Sequence, residues 1–306
     1  MKRLFLSPTE SRLRAGWRLL LHGIIYNLLT ICLSLPVILW LLIAKNDPNS
    51  SPVLLFSNLA TLGAVTLSVF LARRFLDRRS FASLGLKVNR HALLDVLAGF
   101  FIAGLMMGLI YLLEWALGWM KFEGFAWQTS PSPSVIGNAL FALVIFILVG
   151  WNEELLFRGY RLQNLSEGLN PAWGLALSSA WFGVAHILNP NASWLAVAGI
   201  YLAGVFLAFG YLRTRQLWLP IGLHIGWNFF EGVVFGFPVS GMEFYRLIRQ
   251  TVSGPALWTG GAFGPEAGLV ILPALLVGAL LVYGYSVKSS PIATPTNDSQ
   301  LTTHAS

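Results

Sequence analysis

The apolar positions of this chain gather into long runs, separated by short polar breaks. A helix rises 1.5 Å per residue and the hydrocarbon core is ~30 Å thick, so about 20 mostly apolar residues make one span. Eight stretches reach or approach that length: Leu19–Ala44, Val53–Ala72, Ala92–Leu113, Val135–Gly150, Ala172–Leu188, Trp194–Leu212, Trp218–Phe237 and Ala267–Val287. The first, second and eighth are plain apolar runs. The fourth is short, and crosses only if it continues through Asn152-Glu153-Glu154 into Leu155-Leu156-Phe157. Asn189-Pro190-Asn191 and Arg213-Thr214-Arg215 divide the fifth, sixth and seventh. The pattern predicts an all-α fold, a polytopic membrane helical bundle of about eight transmembrane helices.

Composition narrows the class further. Of 306 residues 56% are hydrophobic and 11% charged, less than half the charge of an ordinary soluble domain. Cys32 is the only cysteine, which removes a disulfide-stapled secreted module. Lys and Arg mark the cytoplasmic side of membrane proteins. With the N-terminus inside and eight spans, sixteen of the twenty fall inside (Lys2 through Arg18, Arg73 through Arg90, Arg158, Arg161, Arg213, Arg215, Lys288). Lys45, Lys121, Arg246 and Arg249 fall outside. Both termini are therefore expected in the cytoplasm, and the net charge of +7 belongs to topology. No soluble basic face exists for nucleic acid. The expected setting is a multi-pass protein of a bacterial plasma membrane. Residues 1–18 form a basic cytoplasmic N-terminus, the first apolar run is too long for a cleaved signal, and 289–306 is a Ser/Thr/Pro-rich disordered tail.

Ionisable residues inside spans are costly and thereby informative. His22, Asp95 and Glu114 lie near span ends and are expected to reach water. Three other places are harder to explain. In Val149-Gly-Trp-Asn-Glu-Glu-Leu-Leu-Phe-Arg-Gly-Tyr160, Glu154 and Arg158 are i and i+4 with the acid first, the favourable order for pairing. Glu153 then stands without a partner in its own turn, a candidate general base; a charge-paired helix end is the plainer alternative. Phe182-Gly-Val-Ala-His186 puts a ring one turn before a lone histidine, which could equally be a satisfied core residue. In His224-Ile-Gly-Trp-Asn228, two hydrogen-bond donors point from one helix face into one place, as an oxyanion hole requires. Glu231 falls roughly on that stripe, as a supporting partner or simply a charge within the bundle. Together the groups could activate water, relay a proton and face an oxyanion.

The ordered set Glu153-Glu154-x-x-x-Arg158, Phe182-x-x-x-His186 and His224-x-x-x-Asn228 resembles the signature of the CAAX prenyl protease 2 and bacteriocin-processing family of membrane-embedded endopeptidases. The resemblance covers roughly Val135 to Phe237. It implies peptide-bond hydrolysis in a hydrophilic cavity, with Glu153 as base, Glu154 and Arg158 beside it, His186 helping to activate water, and His224 with Asn228 at the oxyanion. Members are often called metalloproteases. No His-Glu-x-x-His is present, but Glu153, His186 and His224 could form an open zinc site in space, so zinc is a candidate cofactor.

The organisation expected is a three-span scaffold at 19–134, catalytic core spans at 135–237, an extracytoplasmic loop at 238–265 and a last span at 266–288. Its partners are the lipid bilayer and a peptide or membrane-tethered protein substrate, with no nucleic acid. A proton- or ion-coupled transporter and a non-catalytic membrane scaffold are the rival readings. One tension remains in the topology. His186 lies ~20 Å from its inner helix end but Glu153 only ~8–12 Å, so helix five must tilt or helix four must run well past Arg158. The cavity is expected to open towards the cytoplasmic half.

Overall fold

A computed structural model describes residues 5–7, 12–45, 47–48 and 50–289; most of the expected disordered tail lies outside them. The chain is a helical membrane bundle. Helices α1 (Ala15–Ala44) and α2 (Ser51–Leu71) form an antiparallel pair, and α2 runs on through a π-helical turn, Ala72–Leu76. Next come α3 (Arg90–Ala116), strand β1 (Met120–Phe125) and α4, which starts at Ser132 and is α-helical to Glu154. A π-helical stretch, Leu155–Arg161, and a further α-helical stretch, Leu162–Gly168, continue α4. Helices α5 (Pro171–Ala185), α6 (Trp194–Thr214) and α7 (Trp218–Asn228) follow, and α7 also passes into a π-helical stretch, Phe229–Val234. Strand β2 (Ile248–Val252), the single turn α8 (Ala256–Thr259) and α9 (Ile271–Ser289) complete it. β1 and β2 pair antiparallel, with a register shift between Phe122 and Gly124. The apolar-run reading gave no sign of this small sheet.

Among the described residues, five helices (α1, α2, α3, the continuous Ser132–Gly168 and α6) are long and apolar enough to cross a membrane. The other three expected spans coincide with shorter helices. Apolar residues persist to Leu188, but α5 stops at Ala185 and leaves His186 at its C-cap. The tension over depth resolves as extension: α4 runs on to Gly168, ten residues or ~15 Å past Arg158.

Side chains sort inside out, as lipid requires. Leu97, Phe101, Leu105 and Leu112 form an exposed apolar stripe down α3, and Leu20, Ile24, Leu28 and Ile31 do so on α1. His22, Asp95 and Glu114 are buried in the bundle, contrary to the expectation that they reach water. His22 packs on the Tyr160 ring at 4.2 Å, and Asp95 accepts from the Tyr285 hydroxyl at 2.7 Å. Facing helices can replace water for a side chain near a span end. At one end of the bundle, Asp77 takes Arg18 at 2.7 Å and Arg73 at 2.8 Å, while Glu167 takes Arg18 at 3.0 Å and also pairs with Arg12. These ion pairs tie α1 and α2 to the extension of α4.

Helix α7 owes its position to small residues. Gly222 and Gly226, four apart, lie against α3, where an added Cβ would meet the carbonyl oxygens of Val96 and Phe100 at 2.2 and 2.4 Å. Close approach of this kind is how helices associate in lipid. His224 lies two residues from each glycine, about 200° round the helix, so seating the glycines on α3 turns His224 towards α4.

Candidate active site

Four elements build the site. Helix α4 brings Glu153 and Glu154 just before it widens into its π-helical stretch, a feature often found at functional sites. Helix α5 brings His186 at its C-terminus. Asn170 caps its start, accepting from the Trp173 N–H at 2.9 Å, and Pro171 occupies the first turn. Helix α7 brings His224 and Asn228. The segment between α7 and α9 brings Ser240 and Glu266.

Glu154 is fully buried and its Oε1 accepts twice, from Arg158 Nη1 at 2.8 Å and from His224 Nδ1 at 2.8 Å. Arg158 also donates to the Gly204 carbonyl at 3.3 Å, and its guanidinium lies 4.1 Å from the Phe182 ring centroid. The His186 ring meets Phe182 edge-on at 4.9 Å, and its Nδ1 lies 2.8 Å from the Phe182 carbonyl oxygen. A carbonyl and a carboxylate only accept, so both imidazoles carry their Nδ1 proton on those partners and turn Nε2 to the cavity. Glu153 Oε2 stands 3.6 Å from His224 Nε2 and 3.9 Å from His186 Nε2. Both separations exceed a direct hydrogen bond.

These groups face a cavity of about 220 Å³, lined by Glu153, His186, His224 and Asn228 and walled by Phe146, Phe182, Phe206 and Leu223. Glu154 and Arg158 stand behind it. All six candidate residues thus come to one place. Val239, Ser240, Met242, Phe244 and Glu266 also line the cavity. In the sequence topology they are extracytoplasmic or adjoin the last span's outer end. The cavity therefore reaches the segment between α7 and α9. A second hollow of about 310 Å³ adjoins Glu153 between Tyr26 of α1, Asn58 and Thr61 of α2 and Trp181 of α5.

Glu266 is the cavity residue that sequence reasoning missed. Its Oε2 accepts from the Ser240 N–H at 2.8 Å and the Ser240 hydroxyl at 2.6 Å, and its Oε1 from the Trp227 indole N–H at 3.2 Å. The available signal was an acid at the edge of an apolar run, just after the glycine-rich Gly260-Gly-Ala-Phe-Gly264. Glu231 is fully buried outside the cavity lining, and among the described residues neither of its carboxyl oxygens is within hydrogen-bond geometry of a donor.

Among the described residues no three His, Cys, Asp or Glu side chains form a group that could hold a metal ion. The zinc set Glu153, His186 and His224 therefore does not fit as a closed ligand group.

Residues 135–230 match the family model described as type II CAAX prenyl endopeptidase Rce1-like, a stretch that contains all three motifs and bears out the resemblance. The chain is 28% identical over 174 residues to a Bacillus subtilis (strain 168) protein named "Putative membrane peptidase YdiL", an alignment covering 56% of this chain and 66% of that protein. It is 33% identical over 118 residues to an Escherichia coli protein named "Uncharacterized 24.3 kDa protein", covering 38% of this chain and 53% of that protein. The chain thus spans between about half and two thirds of these curated relatives. No solved structure matches it.

Proposed function

With an Rce1-like segment at 135–230 as premise, we propose that the chain is a membrane-embedded endopeptidase of CAAX type, hydrolysing a peptide or membrane-tethered protein substrate within the bilayer. The observation that carries this is one carboxylate, Glu153, set opposite the Nε2 atoms of two histidines in a cavity with apolar walls.

A water seated in the cavity beside these groups, within hydrogen-bond reach of Glu153 and the imidazoles, is the nucleophile. Glu153 takes one proton from that water while its oxygen attacks the scissile carbonyl carbon. His186, its Nδ1 proton committed to the Phe182 carbonyl, accepts a hydrogen bond from the water at Nε2 and fixes its orientation. The tetrahedral oxyanion receives hydrogen bonds from the Asn228 amide and from protonated His224, whose charge Glu154 balances through Nδ1. The carboxyl of Glu153 then returns its proton to the leaving amine as the C–N bond breaks. The phenylalanines around the cavity limit bulk water, which strengthens each of these interactions.

The test is cleavage of a peptide library by the purified full chain in liposomes, with products read by mass spectrometry. Glu153→Gln is expected to lower kcat by ~10³-fold or more, and His186→Ala by ~10²–10⁴-fold, with the thermal transition retained. Cleavage at the original rate in folded Glu153→Gln removes the base assignment.

A further inference from the structure

We infer that Glu266 makes a binding subsite inside the cavity for a positively charged group of the substrate, a lysine ammonium, an arginine guanidinium or a free α-amine near the scissile bond. This inference rests on the endopeptidase reading and names a substrate class for it.

Glu266 is 4% exposed and faces the same cavity as Glu153, His186 and His224. Three donors converge on its carboxylate, two from Ser240 and one from Trp227, and fix its orientation. The backbone is held as firmly: an added Cβ on Gly199 of α6 would meet the Glu266 carbonyl oxygen at 1.7 Å, so this turn is pressed flat on the helix. The carboxylate is thus rigidly placed but lacks a full counter-charge. Among the described residues no Lys or Arg forms an ion pair with it, whereas Glu154, buried as deeply, has Arg158. A buried carboxylate without a cation is costly, and a ligand that brings the cation offsets the cost.

The rest of the lining fits such a guest. Phe146, Phe206, Leu207, Met242 and Phe244 give a narrow apolar passage suited to the alkyl stem of a lysine or arginine. At about 220 Å³ the cavity lies below the ~300 Å³ of a usual ligand pocket, so it takes a side chain or two.

The experiment compares matched peptides carrying Lys, Arg, Gln or norleucine at each position flanking the cleaved bond. The full chain in liposomes is expected to favour Lys or Arg at one position by about tenfold in kcat/KM, mostly through KM. Glu266→Gln is expected to bring that ratio to about one, and Glu266→Asp to retain most of it. A parallel titration measures binding of the Lys and norleucine peptides to Glu153→Gln protein, so selectivity is read even where turnover is not. Where Glu266→Gln does not fold, competition by butylguanidinium against butylurea on the unaltered protein makes the same comparison. Equal binding and cleavage of basic and neutral peptides, or a basic preference that survives in Glu266→Gln, overturns the subsite. Preferential binding of the Lys peptide with no cleavage by the unaltered chain upholds it and refutes the endopeptidase reading instead.

Discussion

Glu154 Oε1 and His224 Nδ1 are 2.8 Å apart, and the same oxygen also receives Arg158. The contact joins α4 to α7, residues seventy positions apart, and it decides which imidazole nitrogen faces the cavity. Glu154→Gln keeps the shape but removes the charge that balances both cations. Its amide can also present an N–H to His224 where an acceptor is required. We expect kcat to fall by ~10²–10³-fold with KM nearly unchanged, because a supporting carboxylate acts mainly through the imidazole. Arg158→Ala leaves Glu154 buried without its cation and is expected to cost ~3–5 kcal/mol of stability. Steady-state kinetics and thermal unfolding in detergent check the pair. A kcat loss in Glu154→Gln smaller than threefold would mean that this contact only holds helices together.

Dialysis against a strong chelator is expected to leave peptide cleavage within about twofold of the untreated protein. The reason is the donor set: among the described residues no three candidate ligands close into a group, and a zinc site needs at least three protein ligands. Loss of cleavage that zinc restores would bring Glu153, His186 and His224 together around an ion.

Gly226→Ala tests whether helix contact positions the histidine. The new Cβ would lie 2.4 Å from the Phe100 carbonyl oxygen, so α7 must move off α3 and carry His224 with it. We expect a loss of ~1–3 kcal/mol together with a fall in kcat. Gly23→Ala in α1 is the control: nothing lies within 4 Å of its added Cβ. That change should leave activity intact and add up to ~1 kcal/mol through helix propensity. Equal thermal transitions for the two variants would refute the close-packing account.

His224 also shows why part of the molecule was legible in the sequence. An ionisable group in an apolar helix is rare, so Glu153, His186 and His224 stood out without any coordinates, and i to i+4 spacing tied Glu154 to Arg158 and His224 to Asn228. Helices α1, α2, α3 and α6 followed from hydropathy alone. What hydropathy does not encode is where a helix stops. Ile187 and Leu188 continue the apolar run, yet the chain turns at His186, and the π-helical stretches after Glu154 and Asn228 leave no periodic trace. Glu266 was illegible for another reason. An acid at the edge of an apolar run draws no notice until the segment before it folds back over the cavity. The burial of Asp95 and Glu114 depends likewise on neighbours that only the tertiary fold supplies.

Glu231 offers a test in the opposite direction, of stability gained by removing a charge. It sits one turn after Asn228 in the π-helical end of α7, fully buried, and among the described residues neither carboxyl oxygen is in a hydrogen bond. The Trp227 indole N–H is directed to Glu266 at 3.2 Å. A buried polar group without a partner costs ~1–3 kcal/mol, and methionine is flexible enough to fill the same space. Glu231→Met is therefore expected to raise the thermal transition, and Glu231→Gln to change it less, since the amide remains polar but uncharged. Neither variant alters a residue lining the cavity, so any change in cleavage should be small beside that of Glu153→Gln. A lowered transition in both variants, with cleavage lost, would show that Glu231 has a partner the fold depends on and that its carboxylate is part of the site.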